Sequence, residues 1–171
     1  MASEVMRTVH GLEYALRAPM SEDDHDPGAA TCEHCQERGF LMRSMTFALR
    51  RVPGYRDLSD REFDPYVREL ARRLDDPSLV RAIAYDPFDP WLILGFVIGE
   101  PGVLTYLHVR GGFRGLGLAT ALAGLLGIRR GRPAVVEFPT WDLVRENPGT
   151  GHPIGLLHNP DWDLTLVEPR L

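Results

Sequence analysis

The stretch Tyr106–Gly127 (YLHVRGGFRGLGLATALAGLLG) contains the residue types that can hold a phosphate group. An apolar strand is followed by glycines, and small and apolar residues then predict a helix from about Arg114 to Leu126. The first-turn amides of a helix have no partner within the helix and carry partial positive charge. Because Gly115 and Gly117 have no side chains to keep a ligand away, this junction is predicted to form a phosphate cradle.

The basic residues are unevenly distributed along the chain. All 19 are arginines, and the absence of lysine excludes a lysine Schiff base and the lysine-containing phosphate loop of nucleotide hydrolases. The net charge is −5, which argues against a protein that coats nucleic acid without sequence preference. Residues 101–136 nevertheless carry five arginines and no acid, so an anionic ligand is expected in this positive segment. The five are Arg110, Arg114, Arg129, Arg130 and Arg132.

Two kinds of phosphate site fit this glycine-rich junction. The dinucleotide fingerprint requires G-x-G-x-x-G, and here Gly115 and Gly117 are followed by Thr120 where the third glycine should stand. Glu137 stands 20 residues after Gly117, where that fold places its ribose ligand. The fold also needs repeated parallel strand–helix–strand units, whereas the segments before residue 103 predict an antiparallel meander. The dinucleotide interpretation is therefore the weaker of the two.

The second interpretation is a family resemblance. Arg114–Ala119 (RGLGLA) fits the R/Q-x-x-G-x-G/A motif of the GNAT superfamily of acyl-CoA-dependent N-acyltransferases. The motif follows a strand that ends Leu107-His108-Val109, as a strand of that family commonly does. The chain resembles in particular the short GNAT-like proteins of tailed bacteriophages. The resemblance covers residues 5–138 in the order of elements and about residues 104–126 in sequence detail.

The resemblance implies a reaction and a co-substrate. It implies transfer of an acetyl group from acetyl-CoA (coenzyme A) to an unidentified amine, on a small molecule or a protein. The amides of the motif would bind the pyrophosphate of coenzyme A, while Leu107 and Val109 would hydrogen-bond the pantetheine and polarise the thioester carbonyl. The motif residues with this cofactor-binding role are Arg114, Gly115, Leu116, Gly117, Leu118 and Ala119.

The catalytic part of the resemblance is less complete than the cofactor-binding part. Many members of the family use a tyrosine on the helix after the fifth strand as general acid, and this chain has no tyrosine after Tyr106. Glu137 and His108 are the candidates for the base that deprotonates the acceptor amine, with Tyr106 a weaker third. The motif selects none of them. The resemblance also implies that the two N-terminal helices shape the acceptor site.

A function from a different class fits the same residues. The likeness to phage proteins, the missing tyrosine and the irregular segment 139–171 also suit a non-catalytic structural or connector component of a bacteriophage particle. Its partners would be virion structural proteins or further copies of the chain in a homo-oligomer. A third interpretation, an enzyme that modifies a nucleobase, conflicts with the net charge of −5.

A second group of residues could bind a metal. Cys32-Glu33-His34-Cys35 and the upstream His25 offer four ligands of the types that zinc prefers. A single CxxC lacks the second pair that makes the zinc pattern specific, and Asp23, Asp24 and Asp26 are unusual neighbours for a zinc knuckle. From the sequence alone, two reduced thiols near the start of an amphipathic helix are favoured, and no metal is favoured.

The predicted elements form one α/β domain over residues 1–171, with a core at 5–138 and an irregular tail at 139–171. We expect a GNAT-like mixed, mostly antiparallel sheet flanked by helices on both faces. A capping box of Ser59 and Glu62 predicts where the second helix begins. Strands are predicted at 5–18, 79–85, 91–98, 103–109, 134–138 and 164–167, and helices at 32–51, from Ser59 to before Pro77, and at 114–126.

No segment predicts insertion into a membrane. The longest strongly apolar runs, at 91–98 and 119–128, are too short to span a bilayer. The N-terminus lacks the continuous apolar region of a secretory signal, and two cysteines exclude a disulfide scaffold. We therefore expect a cytoplasmic protein, located in the host cytoplasm or the virion if a phage encodes it.

Overall fold

The computed structural model describes residues 5–8, 10–29, 31–51, 55–129, 133–136 and 155–158. Its elements follow the predicted order, with one additional strand near each end of the described chain. The strands are β1 (Met6–Arg7), β2 (Glu13–Arg17), β3 (Val80–Asp86), β4 (Asp89–Glu100), β5 (Val103–Val109), β6 (Pro133–Val136) and β7 (Gly155–His158). The helices are α1 (Glu33–Arg50), α2 (Asp60–Asp75) and α3 (Leu118–Leu125), with 3₁₀ turns at Glu22–Asp24 and Gly111–Phe113.

The described strands form a mixed sheet in which neighbours along the chain are neighbours in the sheet. The strands from β1 to β5 pair antiparallel. Short turns join β1 to β2, β3 to β4 and β4 to β5, whereas α1 and α2 lie between β2 and β3 in the chain. The last two pairings, β5 with β6 and β6 with β7, are parallel. The prediction of an α/β fold with a mixed, mostly antiparallel sheet is confirmed at this level.

The prediction of one strand over residues 5–18 is wrong, because the chain reverses within it. The Thr8 amide donates to the Leu12 carbonyl at 2.9 Å, and the Gly11 amide donates to the Thr8 carbonyl at 3.0 Å. Gly11 has φ +82°, a conformation that glycine adopts without a steric penalty. The loose alternation of residues therefore belongs to two short antiparallel strands rather than to one.

Two of the three register shifts between β3, β4 and β5 explain which core cluster the neighbouring side chains join. In β4, Gly95 pairs with Ala84 and Ile93 with Tyr85, so Leu94 is an extra residue opposite β3. In β5, Thr105 is likewise extra, because Tyr106 pairs with Ile98 and Leu104 with Gly99. Each bulge reverses the alternation along its strand. As a result Leu104 and Tyr106, two positions apart, belong to different core clusters.

The buried side chains form two clusters. The first joins α1 and α2 to the sheet, and the second joins α3 to the sheet. Members of the first cluster include Leu41, Met45, Leu70, Ile83, Phe96, Ile98 and Tyr106. Members of the second include Tyr14, Ala84, Leu94, Val97, Val109, Leu118 and Leu122.

The predicted start of the second helix is confirmed. Ser59 is the N-cap of α2, where its hydroxyl accepts from the Glu62 amide at 3.4 Å. The Glu62 carboxylate accepts from the Ser59 amide at 2.9 Å, which completes the capping box. Pro65 is the sixth residue of the helix and so lies in the second turn rather than the first, and the helix ends at Asp75, before Pro77.

Three predictions concern the C-terminal half of the chain. One is corrected by the structure, and two fall wholly or partly on residues that the structure does not describe. Helix α3 begins at Leu118 rather than at about Arg114, because a 3₁₀ turn and two left-handed glycines occupy residues 111–117. Strand β6 ends at Val136, and residues 137–138 of the predicted strand lie outside the described residues. The predicted strand at 164–167 also lies outside them, whereas β7 occupies a segment that was predicted to be a loop.

None of the helices in the described residues has both the length and the apolar composition needed to cross a bilayer.

Candidate functional site

The chain leaves β5 through a tight turn and enters α3 from two left-handed glycines. The Arg110 amide donates to the Leu94 carbonyl at 2.9 Å, which is the last bond between this segment and β4. The 3₁₀ turn follows, and Gly115 and Gly117 then have φ of +78° and +84°. Gly117 is the N-cap of α3. Residues with a Cβ rarely adopt this conformation, so the glycines determine where the helix begins.

The first-turn amides of α3 follow a loop whose main chain is open at Gly115. The first hydrogen bond of the helix runs from the Ala121 amide to the Gly117 carbonyl at 3.1 Å. The amides of residues 118–120 therefore have no acceptor within the helix. A Cβ placed on Gly115 would meet no atom within 4 Å, and Ala119 is exposed. The junction thus combines amides that have no acceptor within the helix with an open position at Gly115.

The other motif residues have different positions around this junction. The side chain of Leu118 is buried in the cluster that joins α3 to the sheet, and the side chain of Leu116 is half-buried. Their main-chain groups are therefore the parts that can contact a ligand. Arg114 is exposed, and its Nε donates to the Val109 carbonyl at 3.1 Å. This bond holds the guanidinium at the end of β5. It also occupies the carbonyl of Val109, one of the strand residues that the resemblance assigns to pantetheine.

Thr8 is a residue of this site that sequence reasoning missed. Its hydroxyl donates to the Leu116 carbonyl at 2.6 Å and accepts from the Leu12 amide at 3.2 Å. The turn between β1 and β2 therefore holds the main chain of the glycine loop, residues 111–117, through this hydrogen bond. No local signal in the sequence indicates this contact, because the two residues are 108 positions apart.

His108 lies on β5 in contact with aromatic side chains. Its ring is 6.3 Å from the Phe40 ring of α1, edge to face, and 5.5 Å from the Phe96 ring of β4. The side chain is half-buried. The structure therefore places this candidate base where β5 meets α1, next to Val109 in the chain. The other candidate, Glu137, lies outside the described residues.

Tyr106, the weaker third candidate, has a structural contact. It is buried, and its hydroxyl donates to the Ser44 carbonyl of α1 at 3.0 Å. Its ring stacks on Phe96 with the centroids 5.4 Å apart. These contacts tie β5 to α1 near His108 rather than directing the phenol toward the glycine loop.

The four cysteine and histidine residues of the N-terminal region converge. Cys32 is the N-cap of α1, and its Sγ accepts from the Cys35 amide at 3.5 Å. His25 Nδ1 lies 3.2 Å from Cys32 Sγ and 3.4 Å from Cys35 Sγ. The amides of Cys35 and Asp26, together with His25, lower the pKa of the Cys32 thiol to about 6. Both thiols are free.

A cavity of about 330 Å³ lies between the loop after β2, the N-terminal half of α1 and the end of α2. Glu37 of α1 lines it, is buried, forms an ion pair with Arg17 and accepts from the Met20 amide at 2.6 Å. Further lining residues are Glu22, His34, Arg38, Leu41, Asp75 and Arg81. The cavity is therefore bounded by α1, one of the helices that the resemblance assigns to the acceptor site.

No protein-family model matches the chain. A search of curated proteins finds no match either. The functional interpretation therefore depends on the motif at residues 114–119 and on the geometry around it.

Proposed function

We propose that this chain is an acyl-CoA-dependent N-acyltransferase that transfers an acetyl group from acetyl-CoA to an amine. The observation that carries the proposal is the junction between β5 and α3. There Gly115 and Gly117 have positive φ immediately before the first turn of a helix, and the space around the Cβ position of Gly115 is open. The sequence motif and the main-chain geometry point to the same ligand, a diphosphate.

The two core clusters support a GNAT-like arrangement with helices on both faces of the sheet. Ile83 and Ala84 are consecutive residues in a regular part of β3. Ile83 belongs to the cluster with α1 and α2, and Ala84 belongs to the cluster with α3. Because successive side chains of a strand point to opposite faces, this assignment favours α3 on the face opposite the other two helices.

In the proposed complex, coenzyme A lies along the second half of β5 and ends at α3. The amides from Gly115 to Ala119 bind the pyrophosphate, and the Arg114 guanidinium supplies the full positive charge. Among the described residues, β6 pairs only with Val103 and Leu104 of β5. The pantetheine would pair with main-chain groups of β5 around Leu107, and Arg114 would have to release the Val109 carbonyl for that group to take part.

The reaction needs a base, a polarised carbonyl and close approach of the amine. Acetyl-CoA supplies the acetyl group and a thiolate leaving group. His108 or Glu137 takes a proton from the acceptor ammonium, and a main-chain N–H of β5 donates to the thioester oxygen as negative charge develops there. The contacts of Phe40 and Phe96 hold the His108 imidazole in one orientation beside the end of β5. Imidazole is suited to this role because it titrates near neutral pH.

Calorimetric titration with coenzyme A and acetyl-CoA tests the proposal. The informative variant is Gly115→Leu, because the new side chain would stand in front of the amides of α3. Gly102→Leu is a matched control, since Gly102 has φ +81°, equally open surroundings and a place in the β4–β5 turn at the other end of β5. We expect binding to the wild type and to Gly102→Leu, and at least a tenfold weaker affinity for Gly115→Leu. No detectable heat from the wild type at millimolar coenzyme A would contradict the proposal.

A structural role in a phage particle is the second candidate, and one observation favours it. Phe88 and Trp91, at the tip of the β3–β4 hairpin, are 87% and 52% exposed. Large exposed aromatic residues are typical of protein–protein contacts. Sedimentation of the wild type and of Phe88→Ser/Trp91→Ser separates the candidates. An assembly that the double variant dissociates, together with no affinity for coenzyme A, would favour the structural role.

A further inference from the structure

We propose that the chain binds one zinc ion through His25, Cys32, His34 and Cys35. The site would be closed and structural, with four protein ligands and no open position for a substrate. It would attach the acidic loop after β2 to the first turn of α1. The proposal goes beyond the acetyltransferase function and does not depend on it.

The four ligand atoms are close enough together to surround one zinc ion after a contraction of the site. One ligand atom from each of the four residues lies within 4.8 Å of all the others. Zinc bonds of about 2.0–2.1 Å to nitrogen and about 2.3 Å to sulfur place ligand atoms roughly 3.3–3.8 Å apart in a tetrahedron. The separations of His25 Nδ1 from the two sulfurs, 3.2 and 3.4 Å, are close to this range.

The local fold explains why the two cysteines face the same point. Cys32 caps α1 and Cys35 lies in its first turn, so a spacing of three residues brings the two sulfurs together. The 3₁₀ turn at Glu22–Asp24 then returns the chain so that His25 reaches the helix N-terminus. The Cys35 amide donates to Cys32 Sγ, as a donor to a metal-bound thiolate does.

His34 provides an independent indication of a missing ligand. The residue is buried, and its Nδ1 has no hydrogen-bond partner among the described residues. Its ring centroid is 5.7 Å from that of His25. A buried polar nitrogen normally has a partner, and a neutral imidazole nitrogen is one of the commonest zinc ligands.

The chemistry of the ligands selects zinc over harder cations. Two thiolates and two imidazoles form a set that zinc prefers, whereas calcium and magnesium require oxygen ligands. Asp23, Asp24 and Asp26 lie in the same loop and give it a negative field that attracts a cation. A disulfide between the cysteines is the competing use of a CxxC pair, but it would leave the convergence of both histidines without a role.

The position of the site gives the zinc ion a structural consequence. His34 lines the cavity of about 330 Å³, and so do Met20 and Glu22 from the loop that the metal would hold. Glu37 lies two residues after Cys35 in α1 and forms an ion pair with Arg17 of β2. Zinc binding would therefore fix one wall of this cavity by joining the loop to α1.

The test is a zinc titration of the full-length, reduced chain after removal of metal, with bound zinc measured by mass spectrometry. We expect one equivalent of zinc bound, and a cobalt(II) derivative with the visible absorption of a tetrahedral sulfur–nitrogen site. Cys35→Ser and His25→Ala are informative variants, because both side chains are exposed and their loss leaves the core intact. His10→Ala removes an exposed histidine elsewhere and is the matched control.

Each outcome of this experiment decides the proposal. Loss of at least 90% of the bound zinc in both informative variants, with full retention in His10→Ala, supports it. A reduced wild-type chain that takes up no zinc overturns it, and so does zinc that survives His25→Ala without a change in the cobalt spectrum. A fall in the melting temperature of the wild type on chelation, absent from Cys35→Ser, would show that the metal is structural. Coenzyme A titration is a separate measurement, so failure of one proposal is distinguishable from failure of the other.

Discussion

Thr8 and Leu116 are joined by a hydrogen bond between the N-terminal hairpin and the glycine loop. The Thr8 hydroxyl donates to the Leu116 carbonyl at 2.6 Å, and Thr8 is only 8% exposed. The same hydroxyl accepts from the Leu12 amide at 3.2 Å. One buried side chain therefore connects the turn between β1 and β2 to the main chain that precedes α3. The conformation of the glycine loop therefore depends on an element far from it in sequence.

Thr8→Val should weaken both the fold and coenzyme A binding. The variant keeps the shape of the side chain but leaves the Leu116 carbonyl and the Leu12 amide without this partner, which costs roughly 1–3 kcal/mol of unfolding free energy. The glycine loop would also lose its support, so we expect a several-fold higher dissociation constant for coenzyme A. Urea unfolding and calorimetry measure the two effects.

Thr46→Val is the matched control for this prediction. The Thr46 hydroxyl donates to the Met42 carbonyl within α1 at 2.8 Å and does not reach the glycine loop. We expect a smaller change in stability and unchanged affinity for coenzyme A. Equal affinity of the Thr8→Val variant and the wild type would show that the loop keeps its conformation without the hairpin.

His108→Gln should reduce the turnover number if His108 is the base. Removal of a general base lowers the rate roughly 10²–10⁴-fold, and the KM for acetyl-CoA should change little because His108 lies outside the glycine loop. An acetylation assay with a panel of amines, run from pH 5 to 9, measures both effects.

Tyr106→Phe separates catalysis from packing at the same strand. The substitution removes the hydrogen bond to the Ser44 carbonyl, so we expect a loss of about 0.5–1.5 kcal/mol in unfolding free energy and nearly unchanged turnover. Full activity of His108→Gln would instead assign the base to Glu137, which Glu137→Gln tests directly.

Much of the fold could be predicted from local signals. The capping box of Ser59 and Glu62 determines the start of α2 because both partners lie within one turn. The apolar runs identified β4 and β5 because buried strands need few polar residues. The start of α3 was predicted too early, since the spacing of residues in RGLG does not show that Gly115 and Gly117 adopt positive φ.

The candidate sites could be predicted only where their parts are close in sequence. The strand–glycine–helix junction is continuous, so its amides could be inferred from the motif. The spacing of Cys32 and Cys35 showed that two sulfurs meet, but the return of His25 depends on the fold of the loop before α1. Thr8 could not be inferred at all, because its contact with Leu116 exists only after the sheet has formed.

The stability of the fold should depend on Glu69 in acid. The hydrogen bond from Arg72, assisted by Arg73, lowers the pKa of the Glu69 carboxyl in the folded state. Its contribution is therefore fully present above the unfolded pKa of about 4.3 and is lost as the pH falls through the lower folded value. We expect Glu69→Gln to be less stable than the wild type at pH 7, by less than about 1 kcal/mol for this partly exposed pair, and equally stable at the acid end. Urea midpoints from pH 7 to pH 2 measure this difference, and a constant difference at all pH values would contradict the assignment.

Gly95 lies between the sheet and α3 with no room for a side chain. A Cβ at Gly95 would lie 2.6 Å from the His108 carbonyl oxygen and 3.3 Å from Leu122 of α3, so Gly95→Ala must separate two strands or displace the helix. Overpacking of this kind costs about 1–3 kcal/mol, and here it would also move His108. Gly124→Ala is the matched control, because its Cβ meets nothing within 4 Å and alanine favours a helix by about 0.5–1 kcal/mol. In urea unfolding, Gly95→Ala should therefore lower the free energy of unfolding and Gly124→Ala should raise it. A Gly95→Ala variant as stable as the wild type would show that β4 and β5 can separate at this position without cost.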